Sequence, residues 1–240
     1  MAAGLDRFRQ VEALIAAEPH ADDHTAHEAD GLRQLCGAAV RALSACGVGL
    51  TVVASDGARA VTAASDPAAE RFEELQLTLG EGPCIDAYTA RHPVMIPDLD
   101  EAMARWPAYS PAVHAGGVRA VFAFPLQIGA ARLGMLDVFR PVPGMLTTDE
   151  VTLALTFAEV TVTTLLDRQH DADRADTWLH NVLGSRSELF QAQGMVMAQL
   201  ATTLTDAMAR IRAYAHANDQ RLSEVATGII ARRIVFDRHP

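Results

Sequence analysis

Lysine is absent from the 240 residues; all 20 basic side chains are arginine. A P-loop needs its lysine against terminal phosphates and Schiff-base chemistry needs an amine, so both mechanisms are excluded. Cysteine is scarce. Cys36, Cys46 and Cys84 form no CxxC pair and have no zinc spacing with histidine, which fits reduced thiols rather than a disulfide framework or zinc module. Long apolar runs are also missing. No stretch reaches the roughly 18 residues of a membrane helix, and charges at Asp6, Arg7, Arg9 and Glu12 interrupt the place where a signal-peptide core would stand. The expectation is a cytoplasmic protein with no membrane partner.

What is present is a large apolar fraction, 50% of the chain, enough for a sizeable core in one large domain and a smaller one, or in two compact halves. The net charge of −10 is unevenly spread. Residues 1–180 hold 13 arginines against 25 acids, whereas residues 181–240 hold 7 against 5. A polyanion would therefore meet the last 60 residues.

Periodicity gives the elements. Residues 1–25 read as a short helix followed by a mobile linker, and a helix covers about 27–45. The apolar runs VGLTVVAS and ARAVTAAS, separated by Asp56-Gly57, read as a hairpin. Asp66 before Pro67 caps a helix running to about Leu77. The run PVMIPDL is a short strand, EAMARWPAYSPAVHAGG a long connection of short helical turns, and VRAVFAFPLQI and RLGMLDVFR a strand pair joined at Gly129-Ala130-Ala131.

Thr147 and Glu150 have the spacing of a capping box, and Val151, Leu155, Ala158, Val162 and Leu165 follow as a coiled-coil-like seam suited to a homodimer. Three helices are expected in the tail, near 178–199, 204–217 and 221–235. The first 165 residues thus fit a mainly antiparallel sheet with helices on one side.

The stretch LGEGPCIDAY, residues 79–88, offers three readings. A phosphate cradle fails for want of lysine and of a preceding strand. Pro83 starts a helix, so Cys84 lies either as a thiolate near the positive helix end or as a packed thiol. The absence of an adjacent histidine or lysine favours packing. Gly80 and Gly82 otherwise form a tight turn with Asp86 in the first turns of the helix.

In this setting LGEGPCIDA resembles the hallmark of GAF domains from actinobacterial regulators, over about residues 28–168. The resemblance implies an α+β fold, a GAF-like antiparallel sheet flanked by helices, that senses a small molecule or a redox signal under the connection between its third and fourth strands. Candidate ligand-binding residues are then Cys84, Trp106, Tyr109, His114, Phe122, Phe124 and Met135. No cysteine or histidine pattern specifies haem or a bilin, so the cofactor is unknown. Some GAF folds reduce methionine sulfoxide through cysteine. No resolving pair for Cys84 is evident, and the expectation is a protein that is not an enzyme.

In the tail, QAQGMVM, the spaced A...IR.YA and the VA after Leu222 resemble an ANTAR domain. The residues that match are Ala192, Gly194, Ala207, Ile211, Arg212, Leu222, Val225 and Ala226; Gln193 stands where that family often has lysine. The resemblance implies a three-helix module that binds paired hairpin loops of nascent RNA and promotes transcription antitermination. Arg186, Gln191, Gln193, Arg212, His216 and Arg221 are the candidate RNA-binding residues, with Tyr214 set aside as core. The expected organisation is an N-terminal extension over 1–26, a GAF sensor over 27–168, a helical linker over 169–180 and an ANTAR domain over 181–240. A rival reading gives the tail a protein-interaction role without RNA.

Overall fold

The computed structural model describes residues 2–19, 27–53, 59–170, 188–189, 191–218 and 220–237. The chain divides into two compact units, Met1–Ala175 and Asp176–Pro240, each with its own apolar core. Among the described residues no helix is long and apolar enough to cross a membrane.

The first unit contains α1 (Ala2–Ala16), α2 (His27–Ala42), β1 (Gly47–Val53), β2 (Arg59–Ala64), α3 (Pro67–Leu79), α4 (Pro83–Ala90) and β3 (Val94–Ile96). A 3-10 turn (Asp100–Ala102) leads to α5 (Tyr109–Ala115), β4 (Ala120–Ile128), β5 (Ala131–Arg140) and α6 (Thr148–His170). The strands form one sheet in the order β2-β1-β5-β4-β3, and every neighbouring pair is antiparallel.

Local signals start the helices where the chain chemistry asks for them. The Asp66 carboxylate accepts from the backbone of Ala68 at 2.8 Å and Ala69 at 3.0 Å, and Pro67 takes the first helical position. Thr147 and Glu150 close their capping box in both directions, at 2.7 and 3.2 Å. Each contact satisfies a backbone donor that the helix leaves without a partner. The turn between β4 and β5 is shorter than expected: Ile128 pairs with Ala131, so only Gly129 and Ala130 are in it. The Asp56-Gly57 turn lies outside the described residues.

Helices cover both faces of the sheet, not one. The cause is the residue pattern of β1, β4 and β5, which are apolar at both parities and therefore have two faces to bury. One face carries Val121, Ala123 and Phe139 against Phe72, Ala87, Trp106, Tyr109 and Val113 of α3, α4 and the connection to β4. The Phe72 and Phe139 rings meet edge to face with centroids 5.3 Å apart. The other parity holds Val48, Leu50, Phe122, Phe124, Leu136 and Val138, all fully buried; α2 and α6 pack there on β1 and β4.

The N-terminal segment, expected to be an extension, belongs to this unit. Its helix α1 packs on α2 and α6, Val11 is fully buried, Glu18 pairs with Arg41, and the Glu18 carbonyl accepts from Gln34 at 3.3 Å. Packing of α6 on α1, α2, β4 and β5 alters the expected dimer seam. Ala158, Val162 and Leu165 are buried within the unit, which leaves Leu155 as its exposed apolar member.

Among the described residues the second unit contains α7 (191–200), α8 (Leu204–Ala217) and α9 (Leu222–Ile230). Its core is Ala192, Val196, Ala207, Ile211, Ala215, Val225, Ala226 and Ile229, where the small side chains let helix backbones approach closely. Thr203 caps α8 by accepting from Asp206 N at 3.1 Å. The last helix ends five residues earlier than expected. The chain turns left-handed at Arg232, φ 56°, and folds back so that Ile234 and Phe236 pack on the core.

Candidate functional site

In the first unit, the LGEGPCIDAY stretch anchors the connection between β3 and β4. Gly80 ends α3 in the left-handed region at φ 72°, and Gly82 at φ 139° precedes Pro83 at the start of α4. A side chain at position 82 would overlap Gln76, so glycine is required both by conformation and by space. Between them, Glu81 Oε1 accepts from the backbone nitrogens of Ala108 at 2.7 Å and Tyr109 at 2.9 Å, holding the first turn of α5. Asp86 accepts from Arg105 at 2.6 Å, and the Arg105 guanidinium lies 4.5 Å above the Trp106 ring.

The Glu81 contact gives a direct prediction. Glu81→Ala should lower the stability of the first unit by about 1–2 kcal/mol, because two donors at a helix start lose their acceptor. Glu81→Gln, which keeps an acceptor oxygen, should recover most of that loss in urea unfolding.

Beneath this anchor lies a fully buried polar cluster. Glu73 of α3, Thr51 of β1, Asp137 of β5, Gln76 of α3 and Cys84 of α4 are all at 0% exposure. Thr51 Oγ1 donates to Glu73 Oε2 at 2.6 Å, and Gln76 Nε2 donates to Asp137 Oδ2 at 2.6 Å. Gln76 Oε1 in turn accepts from Cys84 N at 2.8 Å, which ties α4 to the carboxylate in the sheet. Glu73 Oε1 and Asp137 Oδ1 take no bond from any other residue, the two carboxyls hydrogen-bond each other, and the Tyr109 hydroxyl is buried without a partner.

Burial controls the ionisation of these groups. It pushes Glu73 well above the usual carboxylate range, with the neighbouring Asp137 charge adding to the rise, and lifts Asp137 to about 6. The Cys84 thiol is likewise pushed up by burial and by Asp137 and Glu73. A helix start therefore does not make Cys84 a reactive thiolate here, because loss of solvent and two acids oppose it.

The residues expected to line one pocket are divided. Trp106 and Tyr109 share one core cluster, and Cys84 packs with Met135 and Val53. Phe122 and Phe124 alternate with Val121 and Ala123 along β4, so they belong to the opposite face of the sheet. Composition could not reveal this, because β4 is apolar at both parities. His114 is half-buried and points to Asp100, with Nε2 to Oδ1 at 3.1 Å.

The sequence reading missed Glu73, Gln76, Thr51 and Asp137. One signal for them was available: Asp137 shares the parity of Met135 and Phe139, so a polar group had to point into that face.

In the second unit Gln191, His216 and Arg221 are exposed, Arg212 is half-buried, and Gln193 is mostly inside at 8% exposure. Gln193 is thus largely withdrawn from the surface on which an RNA contact was expected. Arg210, Arg232 and Arg233 are exposed as well, whereas Arg186 lies outside the described residues. Tyr214 packs partly against the core and meets the Phe236 ring edge to face at 5.6 Å, consistent with its exclusion from the contact set.

Residues 25–165 match the family model described as GAF domain, and residues 178–230 match that described as ANTAR domain. No curated protein gives a significant match. Among solved structures, the GAF domain from an Acinetobacter phosphoenolpyruvate-protein phosphotransferase is 10% identical with a TM-score of 0.51, covering 71% of this chain and 98% of that one. The GAF domain from a phosphoenolpyruvate-protein phosphotransferase of Coxiella burnetii is 16% identical with a TM-score of 0.51, covering 71% and 96%. At such identities the likeness concerns the fold alone.

Proposed function

Because the chain belongs to the GAF domain family over residues 25–165 and carries an ANTAR domain over 178–230, we propose that it is a signal-responsive, RNA-binding transcription antiterminator. In this reading residues 27–168 form the sensor and 181–240 the output module, and the expected helical linker over 169–180 lies, from residue 171 on, outside the described residues. The sensor takes a small molecule or redox signal, and the output binds paired hairpin loops of nascent RNA.

One observation carries the output assignment. The second unit puts its small and branched residues inside and leaves Gln191, Arg210, His216, Arg221, Arg232 and Arg233 exposed, on the segment where arginines outnumber acids. Splayed loop bases are recognised by stacking and hydrogen bonding while basic side chains hold the phosphates. A single module offers few such charges, so a homodimer that presents two modules raises the effective affinity. Val142, Met145 and Leu155, exposed around the start of α6, supply an apolar surface for that pairing.

The test is binding of the full chain to a paired-hairpin RNA and to a loop-scrambled control at two salt concentrations. Loop-dependent binding is expected, weaker at high salt because phosphate contacts release counterions. Arg212→Ala and Arg221→Ala should each weaken it by roughly tenfold, about 1.4 kcal/mol, with circular dichroism unchanged. Equal binding of both RNAs, or none, would overturn the RNA reading and leave a helical protein-interaction output.

A further inference from the structure

We propose that Glu73, Cys84 and Asp137 form the ligand set of a divalent transition-metal site in the first unit. The proposal deepens the sensory reading of this unit, and rests on it only for the consequence that metal occupancy is the signal.

One carboxylate oxygen of Glu73, one of Asp137 and the Cys84 sulfur all lie within 4.8 Å of one another, so modest side-chain rotation brings them around one ion at ordinary ligand distances of about 2.0–2.3 Å. They come from three separate elements, α3, α4 and β5. Among the described residues no basic side chain pairs with either carboxylate, so two buried acids face each other without a fixed countercharge.

The hydrogen bonds divide the oxygens in the way a metal centre requires. Thr51 holds Glu73 Oε2 and Gln76 holds Asp137 Oδ2, whereas Glu73 Oε1 and Asp137 Oδ1 take no bond from any other residue and the two carboxyls share a hydrogen bond with each other. Outer hydrogen bonds that orient a ligating carboxylate while its second oxygen stays free are the usual support of a metal site. The backbone also makes room: a Cβ at Gly49 would fall 2.3 Å from Glu73 Cγ, and one at Gly82 would fall 2.5 Å from Gln76 Oε1. Either substitution would displace a ligand or its support.

The donor set selects the ion. Magnesium and calcium take all-oxygen ligands, whereas one sulfur with two carboxylates suits a borderline ion such as zinc, cobalt or ferrous iron. Coordination releases two protons to solvent, the Cys84 thiol proton and the proton that the Glu73 and Asp137 carboxyls share, and forms one metal–sulfur bond and one metal–oxygen bond to each carboxylate; no electron is transferred.

Cobalt(II) titration of the chelator-stripped full chain tests the site. The expected result is one ion per chain with a thiolate-to-cobalt charge-transfer band that zinc displaces. Cys84→Ser should abolish the band, while Cys36→Ser and Cys46→Ser keep it. Glu73→Gln and Asp137→Asn, both close in shape to the native side chains, should weaken binding by at least tenfold with circular dichroism unchanged. No band at millimolar cobalt, a band that persists in Cys84→Ser, or unchanged affinity in both carboxylate variants would overturn the proposal. Hairpin RNA affinity measured with and without zinc separates the two readings. Bound metal with unchanged RNA affinity keeps the site and removes its sensory role, and a chain that binds no RNA leaves the cobalt result standing by itself.

Discussion

Gly134→Ala is expected to cost the first unit upwards of about 3 kcal/mol, a drop in melting temperature of roughly 6–12 °C for a domain of this size. Gly134 lies on β5, paired with Val52 of β1 and with Leu126 of β4. An added Cβ would stand 2.1 Å from the Thr51 carbonyl oxygen and 3.0 Å from Val52 Cα. These are backbone atoms of a central strand, so no change of rotamer relieves the overlap, and the strands must separate just beside the residue that holds Glu73. Gly117→Ala provides the contrast. That glycine has φ 92° and open space, with nothing within 4 Å of where a methyl would stand, so only left-handed strain remains, about 1–2 kcal/mol. Thermal unfolding of both variants would separate close approach from conformation as the reason for glycine. Equal losses would refute the argument.

The second large effect is opposite in sign to the usual loss on mutating a buried group: Asp137→Asn should stabilise the metal-free chain at pH 7 by about 1–2 kcal/mol. The folded protein holds the Asp137 carboxyl at about 6 because burial disfavours its charge, while in the unfolded chain it titrates near about 3.9. The folded state therefore binds more protons between about pH 4 and pH 6. Stability from this group is present below the unfolded value and is lost as pH rises through about 6. Glu73, raised by the same burial, acts in the same direction. Asparagine removes the charge and retains an oxygen for Gln76.

Urea unfolding with chelator present should thus show the native chain gaining on the order of 1 kcal/mol between about pH 7 and pH 5. The Asn variant should be flatter. Below about pH 4 the trend reverses, since Glu150 and Asp206 are held low by their threonine caps and their contributions disappear when they are protonated. A native chain that weakens steadily over the same fall in pH would contradict the buried-acid argument. A native protein that carries such a destabilising pair at neutral pH is consistent with a site kept for binding rather than for stability.

Much of the local architecture was legible in the residues. Asp66-Pro67, Thr147 with Glu150, and Gly82-Pro83 each specify a helix start through chemistry confined to a few neighbouring residues, and each helix begins there. The strand pair around Gly129 and the three tail helices followed from periodicity in the same way. The motif LGEGPCIDAY was visible as a turn and helix start, but its partners Gln76, Ala108, Tyr109 and Arg105 were not.

Elements, caps, the separation into two units and the family resemblance were all written in the order of the residues, because they depend on short-range spacing and on which residue types stand together. Three things waited for the folded chain: which parity of β4 faces α4, that α1 packs on α6, and that Glu73, Cys84 and Asp137 meet in the core. Each depends on contacts between distant segments. A strand apolar on both sides carries no mark of which face it will turn to a helix, and three polar residues on separate elements carry none of their convergence until the sheet and its helices bring them together.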